Sequence, residues 1–131
     1  MHDRDHGVAS SMPGRIVDAS KFDLAAAERA ALDLLRAIGA DVDQPGLLET
    51  PRRVAASFAE LVTPAELGAT VFPNDGSYDE LVVVRDISFH TLCMHHLLPF
   101  HGHAHVAYLP GDSIIGISKL ARVVEAFSRD L

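Results

Sequence analysis

The residues best suited to chemistry lie in one short run, in which Cys93, His95 and His96 fall within four positions. A thiolate and an imidazole are good zinc ligands, and the Cys-x-x-His spacing lets a tight turn direct Cys93 and His96 at one ion while His95 points elsewhere. The spacing alone fits a buried cysteine beside surface histidines equally well. Because the run lies between two predicted strands, where ligand sites concentrate, we favour a metal site.

A catalytic zinc site needs at least three protein ligands, and this run supplies two. The chain has one cysteine, so the third ligand would be another histidine, a carboxylate or a residue of a partner subunit. Six of the eight histidines lie between His90 and His105. His101, His103 and His105 share one face of a predicted strand, where each also fits a solvated histidine on the open face of a hairpin.

A second group of residues is suited to binding an anion. Ser118 is predicted to cap a third helix, and Lys119 and Arg122 lie three apart on nearly the same face, so the helix dipole and two cations could hold a phosphate. Arg52 and Arg53 stand at the start of an earlier predicted helix. Capped surface helices with ordinary charges give the same local pattern. Four of the eleven basic residues thus stand at two helix starts, although the chain has a net charge of −7. This concentration of positive charge is consistent with a phosphate pocket.

Composition narrows the class of protein. A length of 131 residues, with 48% apolar and 22% charged residues, is typical of one soluble globular domain. The net charge of −7 argues against a nucleic-acid or anionic-membrane partner. One cysteine excludes an intramolecular disulfide and suits a reducing compartment. The charged N-terminus lacks the apolar core of a signal peptide, and no apolar run approaches the roughly 18 residues of a membrane span. We therefore expect a cytoplasmic protein.

The first half of the chain is predicted to be helical. Residues 1 to about 20 have no hydrophobic period and are expected to form a flexible tail. A first helix is predicted from an N-cap at Asp23 to a terminating Gly39. A second is predicted to begin at an N-cap Thr50 followed by Pro51, and to end before Pro64. The apolar stripe of the second helix comprises Val54, Phe58 and Leu61.

The second half is predicted to contain an antiparallel pair of strands. Leu81–Phe89 is rich in β-branched residues, and Gly102–Leu109 alternates between apolar and polar positions. Phe72–Ser77 is predicted to form a loop, and Ile114–Ile117 a brief apolar piece. The third helix is predicted to continue to the last residue and to carry an apolar stripe of Leu120, Val123, Val124 and Phe127.

Three blocks of the sequence resemble the GTP cyclohydrolase I family. Gly46–Val54 resembles its GL-x-x-T-P-x-R-V helix start, Ser88–Pro110 its zinc and active-site signature, and Gly116–Arg122 its G-L-S-K-L-x-R element. The blocks follow the family's order and spacing from about residue 23 to 131. The resemblance implies an α+β tunnelling fold (T-fold): a four-stranded antiparallel sheet with two helices on one face, preceded by a helical part. We therefore expect the chain to consist of a flexible tail over 1–20, a helical part over 21–66 and a partial catalytic domain over 67–131.

The resemblance also implies an activity. GTP would be hydrolysed at its imidazole ring, formate released and 7,8-dihydroneopterin triphosphate formed, which is the first step of tetrahydrofolate and pterin biosynthesis, in a toroidal homodecamer. Carried over by position, Cys93 and His96 would be zinc ligands and His95 the acid–base group at the purine. Contacts to ribose and triphosphate would come from Ser118, Lys119, Arg122 and Arg53.

The sequence departs from the family in two ways. Met94 stands where the family usually has glutamate, and the later Q-V-Q-E-R and H-x-C…R-G segments do not occur in these 131 residues. Those segments carry the guanine anchor, a second histidine and the third zinc ligand of the family. The chain is therefore expected to be a C-terminally shortened member that holds the first half of the sheet and has weak or no turnover. One alternative is a non-catalytic paralogue or fragment that assembles with full-length subunits and modulates them. Another is a different T-fold enzyme that acts on pterins or deazapurines.

Overall fold

The computed structural model describes residues 14–68 and 70–131. Antiparallel strand pairs and packed helices give an α+β fold, as predicted. No helix in these two ranges combines the length and the apolar character needed to cross a bilayer. The elements, in chain order, are a short 3₁₀ turn at Ala19–Lys21, α1 Leu24–Ala37, α2 Thr50–Val62, β1 Val71–Pro73, β2 Val82–Leu92, β3 Pro99–Tyr108, β4 Ser113–Ile115 and α3 Ile117–Ser128.

Local signals set the limits of α1. The Asp23 carboxylate accepts the Ala26 N–H at 2.9 Å, which confirms the predicted N-cap. At the other end Gly39 adopts φ +83°, the left-handed conformation that ends helices at little cost for glycine. Ala31 in α1 and Ala55 in α2 are both buried and line the apolar seam between the two helices.

The predicted cap of α2 is wrong by one residue. Glu49 is the N-cap, and Thr50 is already helical, because the Glu49 carbonyl accepts the first helical hydrogen bond from Arg53 N–H at 3.0 Å. Pro51 occupies the first turn, where its missing N–H costs nothing. The predicted apolar stripe of α2 is half-buried, and the helix ends at Val62, before Pro64 as predicted.

Strands β2 and β3 form the predicted antiparallel hairpin. Their register runs from Val82 opposite Tyr108 to Leu92 opposite Pro99, so both strands extend closer to the turn than the alternation indicated. One face, here called the inner face, packs against α3, since Phe89 and Ala104 line an apolar cavity with Phe127. The opposite, outer face is exposed and carries the histidines of β3, as predicted: His101, His103 and His105.

A β-bulge between Val84 and Ile87 keeps the apolar residues of β2 on the inner face. Val82 and Val84 occupy even positions before it, and Ile87 and Phe89 occupy odd positions after it, yet all four are half-buried. An extra residue in one strand shifts the alternation by one. The bulge therefore places the even-numbered His90 on the outer face.

A second antiparallel pair was not predicted. β1 pairs with β4, with Phe72 opposite Ile114, so the loop prediction for Phe72–Ser77 is wrong at Phe72 and Pro73. Three-residue strands are too short to show a sequence period, and this pair forms between segments about forty residues apart. The Tyr108 hydroxyl fixes β4 to the end of β3 by bonding the Ile115 N–H and C=O, each at 3.2 Å.

The third helix differs from its prediction at both ends. Gly116 is the N-cap, without a side-chain cap, so Ser118 lies within the first turn and does not cap the helix. The helix ends at Ser128 rather than continuing to Leu131. It ends there because Asp130 turns away and accepts hydrogen bonds from the N-terminal segment. Phe127, a member of the predicted apolar stripe, is 57% exposed.

The N-terminal segment is fastened to the ends of two helices. The Arg15 guanidinium donates to the carbonyls of Val62 at 3.0 Å, Ala126 at 3.4 Å and Arg129 at 2.8 Å. The Asp130 carboxylate accepts the N–H groups of residues 16 and 17 at 2.9 and 2.8 Å. Residues 15–17 of the predicted tail thus make tertiary contacts, and residues 1–13 lie outside the described residues.

These contacts make stability depend on the ionisation of Asp130. Burial by itself would raise the pKa of Asp130, but N–H donors from residues 16, 17 and 131 and the charge of Arg15 hold it below its usual range. A lowered pKa in the folded state contributes stability above the unfolded pKa of about 3.9 and loses it as pH falls through the folded pKa. We expect Asp130→Asn to reduce the fall in the free energy of unfolding between about pH 5 and pH 2, measured by urea denaturation.

The matched control is Asp79→Asn, which removes an exposed carboxylate that accepts no hydrogen bond within the described residues. In Asp79→Asn, the fall in the free energy of unfolding between about pH 5 and pH 2 should be close to that of the unmodified chain. Equal pH dependence in Asp130→Asn and the unmodified chain would contradict the role of this carboxylate.

Candidate functional site

The turn between β2 and β3 brings the thiol and two imidazoles together. Leu97 N–H donates to the Cys93 carbonyl at 2.7 Å, and Cys93 N–H donates to the Leu98 carbonyl at 2.9 Å. Leu97 adopts φ +57°, a left-handed conformation that lets the chain reverse in few residues. His96 N–H also donates to Cys93 C=O, at 3.3 Å. The side chains of residues 93–96 therefore project from one closed turn.

The donor atoms lie at distances suited to a shared metal ion. Cys93 Sγ is 3.4 Å from His96 Nδ1 and 4.0 Å from His95 Nδ1. Two donors of one tetrahedral zinc ion, with Zn–S about 2.3 Å and Zn–N about 2.0–2.1 Å, are about 3.5 Å apart. The Cys93–His96 pair matches that separation and the Cys93–His95 pair exceeds it, so Cys93 and His96 are the pair that could hold zinc, as the spacing predicted.

The third zinc ligand is not found in this arrangement. Within residues 14–68 and 70–131, no group of three or more His, Cys, Asp or Glu side chains is placed to hold a metal. The candidates considered from the sequence, His90, His101, His103 and His105, lie instead on the exposed strands of the hairpin. Met94 is 56% exposed and offers no carboxylate to the turn.

The predicted anion-binding residues follow one another along α3. Ser118 is exposed in the first turn, and the Lys119 N–H donates to the Gly116 carbonyl at 2.8 Å. The Lys119 ammonium lies against the backbone of Gly68, where an added Cβ would be 3.2 Å from Nζ. One turn later, Arg122 lines a cleft of about 260 Å³ between α3, β2 and the end of α2.

The remaining predicted site residue, Arg53, is exposed in the first turn of α2. Its neighbour Arg52 donates to Glu49 at 2.7 Å, and this hydrogen bond, with the arginine's charge, lowers the pKa of Glu49. In the part of the chain that the structure describes, the side chains of Arg53, Lys119 and Arg122 form no ion pair or hydrogen bond. Their charges are therefore available to an anionic ligand.

The structure places the Cys93 turn and the start of α3 far apart. The turn follows β2 and precedes Pro99, whereas α3 begins next to Tyr108, at the other end of β3. Nine steps along a strand at about 3.3 Å each separate these ends by about 30 Å. Among the described residues, no hydrogen bond or ion pair joins the turn, Arg53 and the α3 residues to one another.

The sequence argument missed several residues of the Arg122 cleft. Ser88 and His90 of β2 and Arg129 after α3 line it with Arg122. The strand prediction ended at Phe89 and so left His90 out of the strand. The spacing of Glu125 and Arg129 could have indicated their ion pair, but the donation of Arg129 to the carbonyls of residues 60 and 63 depends on tertiary packing alone.

Comparison with known proteins identifies relatives over most of the chain. A sequence model of a family described as GTP cyclohydrolase I matches residues 27–131. A protein named GTP cyclohydrolase 1 from Rhodopirellula baltica is 51% identical over 115 residues, covering 84% of this chain and 49% of the relative. A protein of the same name from Sulfurihydrogenibium sp. is 48% identical, covering 86% of this chain and 58% of the relative. Another, from Brucella anthropi, is 46% identical, covering 93% of this chain and 62% of the relative. The chain spans about half to three fifths of the length of these relatives.

The donor geometry predicts which residues a metal will contact. We expect Co²⁺ added to the reduced chain to give a thiolate-to-metal absorption band that Cys93→Ser abolishes. His96→Gln should weaken Co²⁺ binding at least about tenfold, since even residues that only orient a metal ligand are worth about 10- to 100-fold.

The matched control is His95→Gln, which removes the neighbouring imidazole at 4.0 Å from the thiol. It should change Co²⁺ affinity less than His96→Gln does. A greater loss in His95→Gln would reverse the assignment of the two histidines.

Proposed function

The chain belongs to the GTP cyclohydrolase I family, and from that premise we propose that it serves the zinc-dependent hydrolysis of GTP to 7,8-dihydroneopterin triphosphate and formate. The observation that carries the proposal is the family match over residues 27–131, which includes all seven residues assigned to the site. The separation of 3.4 Å between Cys93 Sγ and His96 Nδ1 supports it independently. We place this reaction in pterin and tetrahydrofolate biosynthesis, in the cytoplasm.

We assign the chain to the T-fold on the same basis. The hairpin of β2 and β3, with α3 packed on its inner face, is consistent with half of a four-stranded antiparallel sheet that carries helices on one side. A two-stranded hairpin is marginal in water and needs further packing for stability. In the proposed T-fold, additional strands or subunits supply that packing.

Within this proposal, Cys93 and His96 hold zinc, which lowers the pKa of a bound water to about 7 when the metal is present. His95 extends from the same turn, and its exposed imidazole is free to face a substrate. An imidazole exchanges protons near neutral pH, so His95 is suited to pass a proton to or from the purine ring. Its 4.0 Å separation from the thiol leaves it outside the ligand pair.

The triphosphate is assigned to the cations of the helix starts. Lys119 and Arg122 make no ion pair in the described ranges, and the start of α3 offers backbone N–H groups that the helix itself leaves unpaired. Ser118 adds an exposed hydroxyl at the same turn. Arg53 adds a third cation from α2. This set suits an anionic, hydroxyl-bearing ligand such as the ribose triphosphate of GTP.

The distance between the two groups supports an oligomer. The turn and the start of α3, which carries Ser118 and Lys119, are about 30 Å apart along β3. We therefore propose that the zinc turn of one copy and Ser118 and Lys119 of another line the same site in a homo-oligomer. Large exposed apolar side chains near both ends of the hairpin provide surface for such an assembly: Leu98 at 65%, Phe100 at 50% and Leu109 at 67% exposed.

We expect the 131-residue chain by itself to turn over GTP weakly or not at all, because its described residues offer zinc two donors where a catalytic site takes three.

The exposed apolar surface at the ends of the hairpin favours a second candidate function, in which the chain assembles with full-length subunits and modulates them. Co-purification with a full-length relative, together with a change in that relative's rate, would favour this second function.

GTP binding tests the assignment of the cations. By calorimetry, we expect Lys119→Gln or Arg122→Gln to weaken binding of GTP about 10-fold or more, since a charge-assisted hydrogen bond is worth about 1.5–3 kcal/mol. The effect on guanosine should be small, because the lost contact is to phosphate.

The matched control for GTP binding is Arg85→Gln, which removes an exposed positive charge on β2 that makes no ion pair within the described residues. If Arg85→Gln weakens GTP binding as much as Arg122→Gln does, general electrostatic attraction and not a site explains the affinity.

Turnover is tested in a chimera, in which this chain replaces its matched segment in the Rhodopirellula baltica relative. We expect zinc-dependent formate release from GTP, and His95→Gln should lower it at least about 100-fold, the usual contribution of a general acid–base group. A chimera that folds, binds zinc and releases no formate would contradict the proposed function.

Mixing variants of the chimera tests whether the site is shared. If Lys119→Gln and His95→Gln chimeras are inactive alone, random co-assembly after joint refolding should recover about a quarter of the activity, because a quarter of shared sites then combine two intact halves. Lack of recovery in a mixed oligomer would show that each site belongs to one copy.

A further inference from the structure

We infer that the outer face of the β2–β3 hairpin carries a second metal site, in which His90 and His101 chelate one divalent late transition-metal ion. The pair is separate from the Cys93 turn, because the two histidines lie on the paired strands and not in the loop between them. The function proposed above makes no use of either side chain.

The backbone places the two imidazoles directly opposite each other. His90 pairs with His101 in the register of the hairpin, and their ring centres are 6.0 Å apart with the planes tilted by 40°. An ion bonded at about 2.0–2.1 Å to a ring nitrogen lies about 3.2 Å from the ring centre, so two rings on one ion have centres at most about 6.4 Å apart. The observed 6.0 Å corresponds to an angle of about 140° at the ion, and a tetrahedral angle needs the ring centres closer, at about 5.2 Å. Because both side chains are exposed, rotation about their χ angles can bring them closer.

Within the described residues, neither imidazole of the pair has another partner. In the part of the chain that the structure describes, the ring nitrogens of His90 and His101 make no hydrogen bond, whereas His105 Nδ1 accepts the Asp86 N–H at 3.0 Å. His103 stands opposite Ser88, two residues beyond His101 on the same face. Since no group of three donors is formed among the described residues, the proposed site has two protein ligands and water at its other positions.

The surroundings of the pair permit a cation. Two arginines, Arg122 and Arg129, share the cleft that His90 lines, and the carboxylates of Glu60 and Glu125 share it too. Arg129 is paired with Glu125. The cleft therefore carries no net charge, and the chain as a whole carries −7. Paired strands also hold the two side chains at a fixed spacing, which lowers the entropy that chelation would otherwise cost.

The donor set indicates which metals fit. Two neutral imidazoles suit zinc, copper and nickel, whereas magnesium and calcium prefer oxygen ligands. Without a thiolate, the order of affinity among divalent ions favours copper over nickel and zinc. Nickel is the convenient probe, because it is paramagnetic and accepts water at its remaining positions.

The experiment is calorimetric titration of NiCl₂ into the 131-residue chain carrying Cys93→Ser, which removes the thiolate of the turn. We expect His90→Gln or His101→Gln to weaken Ni²⁺ binding at least about tenfold, since even residues that only orient a metal ligand contribute about 10- to 100-fold. The matched control His103→Gln removes one histidine from the same face and should change the affinity less than about twofold. The histidines near the N-terminus are the same in every variant.

The double variant His90→Gln/His101→Gln separates a shared ion from two independent sites. If one ion needs both rings, the loss in the double variant is smaller than the sum of the two single losses, because each single change already breaks the chelate. Losses that add in the double variant, an equal loss in His103→Gln, or unchanged binding in His90→Gln would each overturn the proposal. Selective broadening of the ring signals of His90 and His101 by Ni²⁺ in NMR spectra would locate the ion, and broadening of other histidines alone would refute the site.

Discussion

The pairing of β2 with β3 is the interaction on which the rest of the structure depends. Its last pair, Leu92 with Pro99, leaves six residues to reverse the chain, and Leu92 is only 2% exposed, so the base of the turn is held in place. A slip of one residue would move every side chain of a strand to the other face. Such a slip would put histidines against α3 and would change the turn that holds Cys93 Sγ 3.4 Å from His96 Nδ1.

The bulge in β2 lets the strand both pack against α3 and carry His90 on the outer face. Before it, the even-numbered valines face α3, and after it the odd-numbered Ile87 and Phe89 do. Asp86, in the bulge, has φ +56° and donates its N–H to His105 on the partner strand. The strain of a left-handed aspartate is thus offset by a cross-strand hydrogen bond. The packing surface for α3 and the row of outward histidines both follow from this one irregularity.

The sequence predicts the parts of the fold that rest on local patterns. Helices α1 and α2 follow from their 3.6-residue period and the Asp23 cap, and the hairpin follows from the alternation in β3. The Cys-x-x-His spacing predicts a turn that directs Cys93 and His96 at one ion; their donor atoms lie 3.4 Å apart, and binding of the ion stays a prediction. The contacts of Arg15 with three carbonyls, the pairing of β1 with β4 and the bulge could not be predicted, because each joins segments distant in sequence or breaks a local period. The same reason explains why the prediction of Ser118 as a cap is wrong: a serine before an apolar stripe is a good signal, but the chain that leaves β4 enters the helix at Gly116, two residues earlier.

The two ends of α3 are fixed by different means, and this bears on how a site could form. Its start is set by Tyr108, whose hydroxyl bonds both backbone groups of Ile115, and its end is set by Arg15 and Asp130. Thr91 Oγ1 also donates to the Asp130 carbonyl at 3.3 Å, which ties this end of α3 to the strand that leads into the Cys93 turn. The helix therefore runs back along the hairpin with its end near the Cys93 turn and its start, with Ser118 and Lys119, away from it. Because both ends are tied, bending α3 to bring Lys119 to the turn would break the Tyr108 or the Asp130 contacts. The proposed homo-oligomer needs no such bending, because the Lys119 that it places beside the turn belongs to a second copy and all of these contacts stay intact.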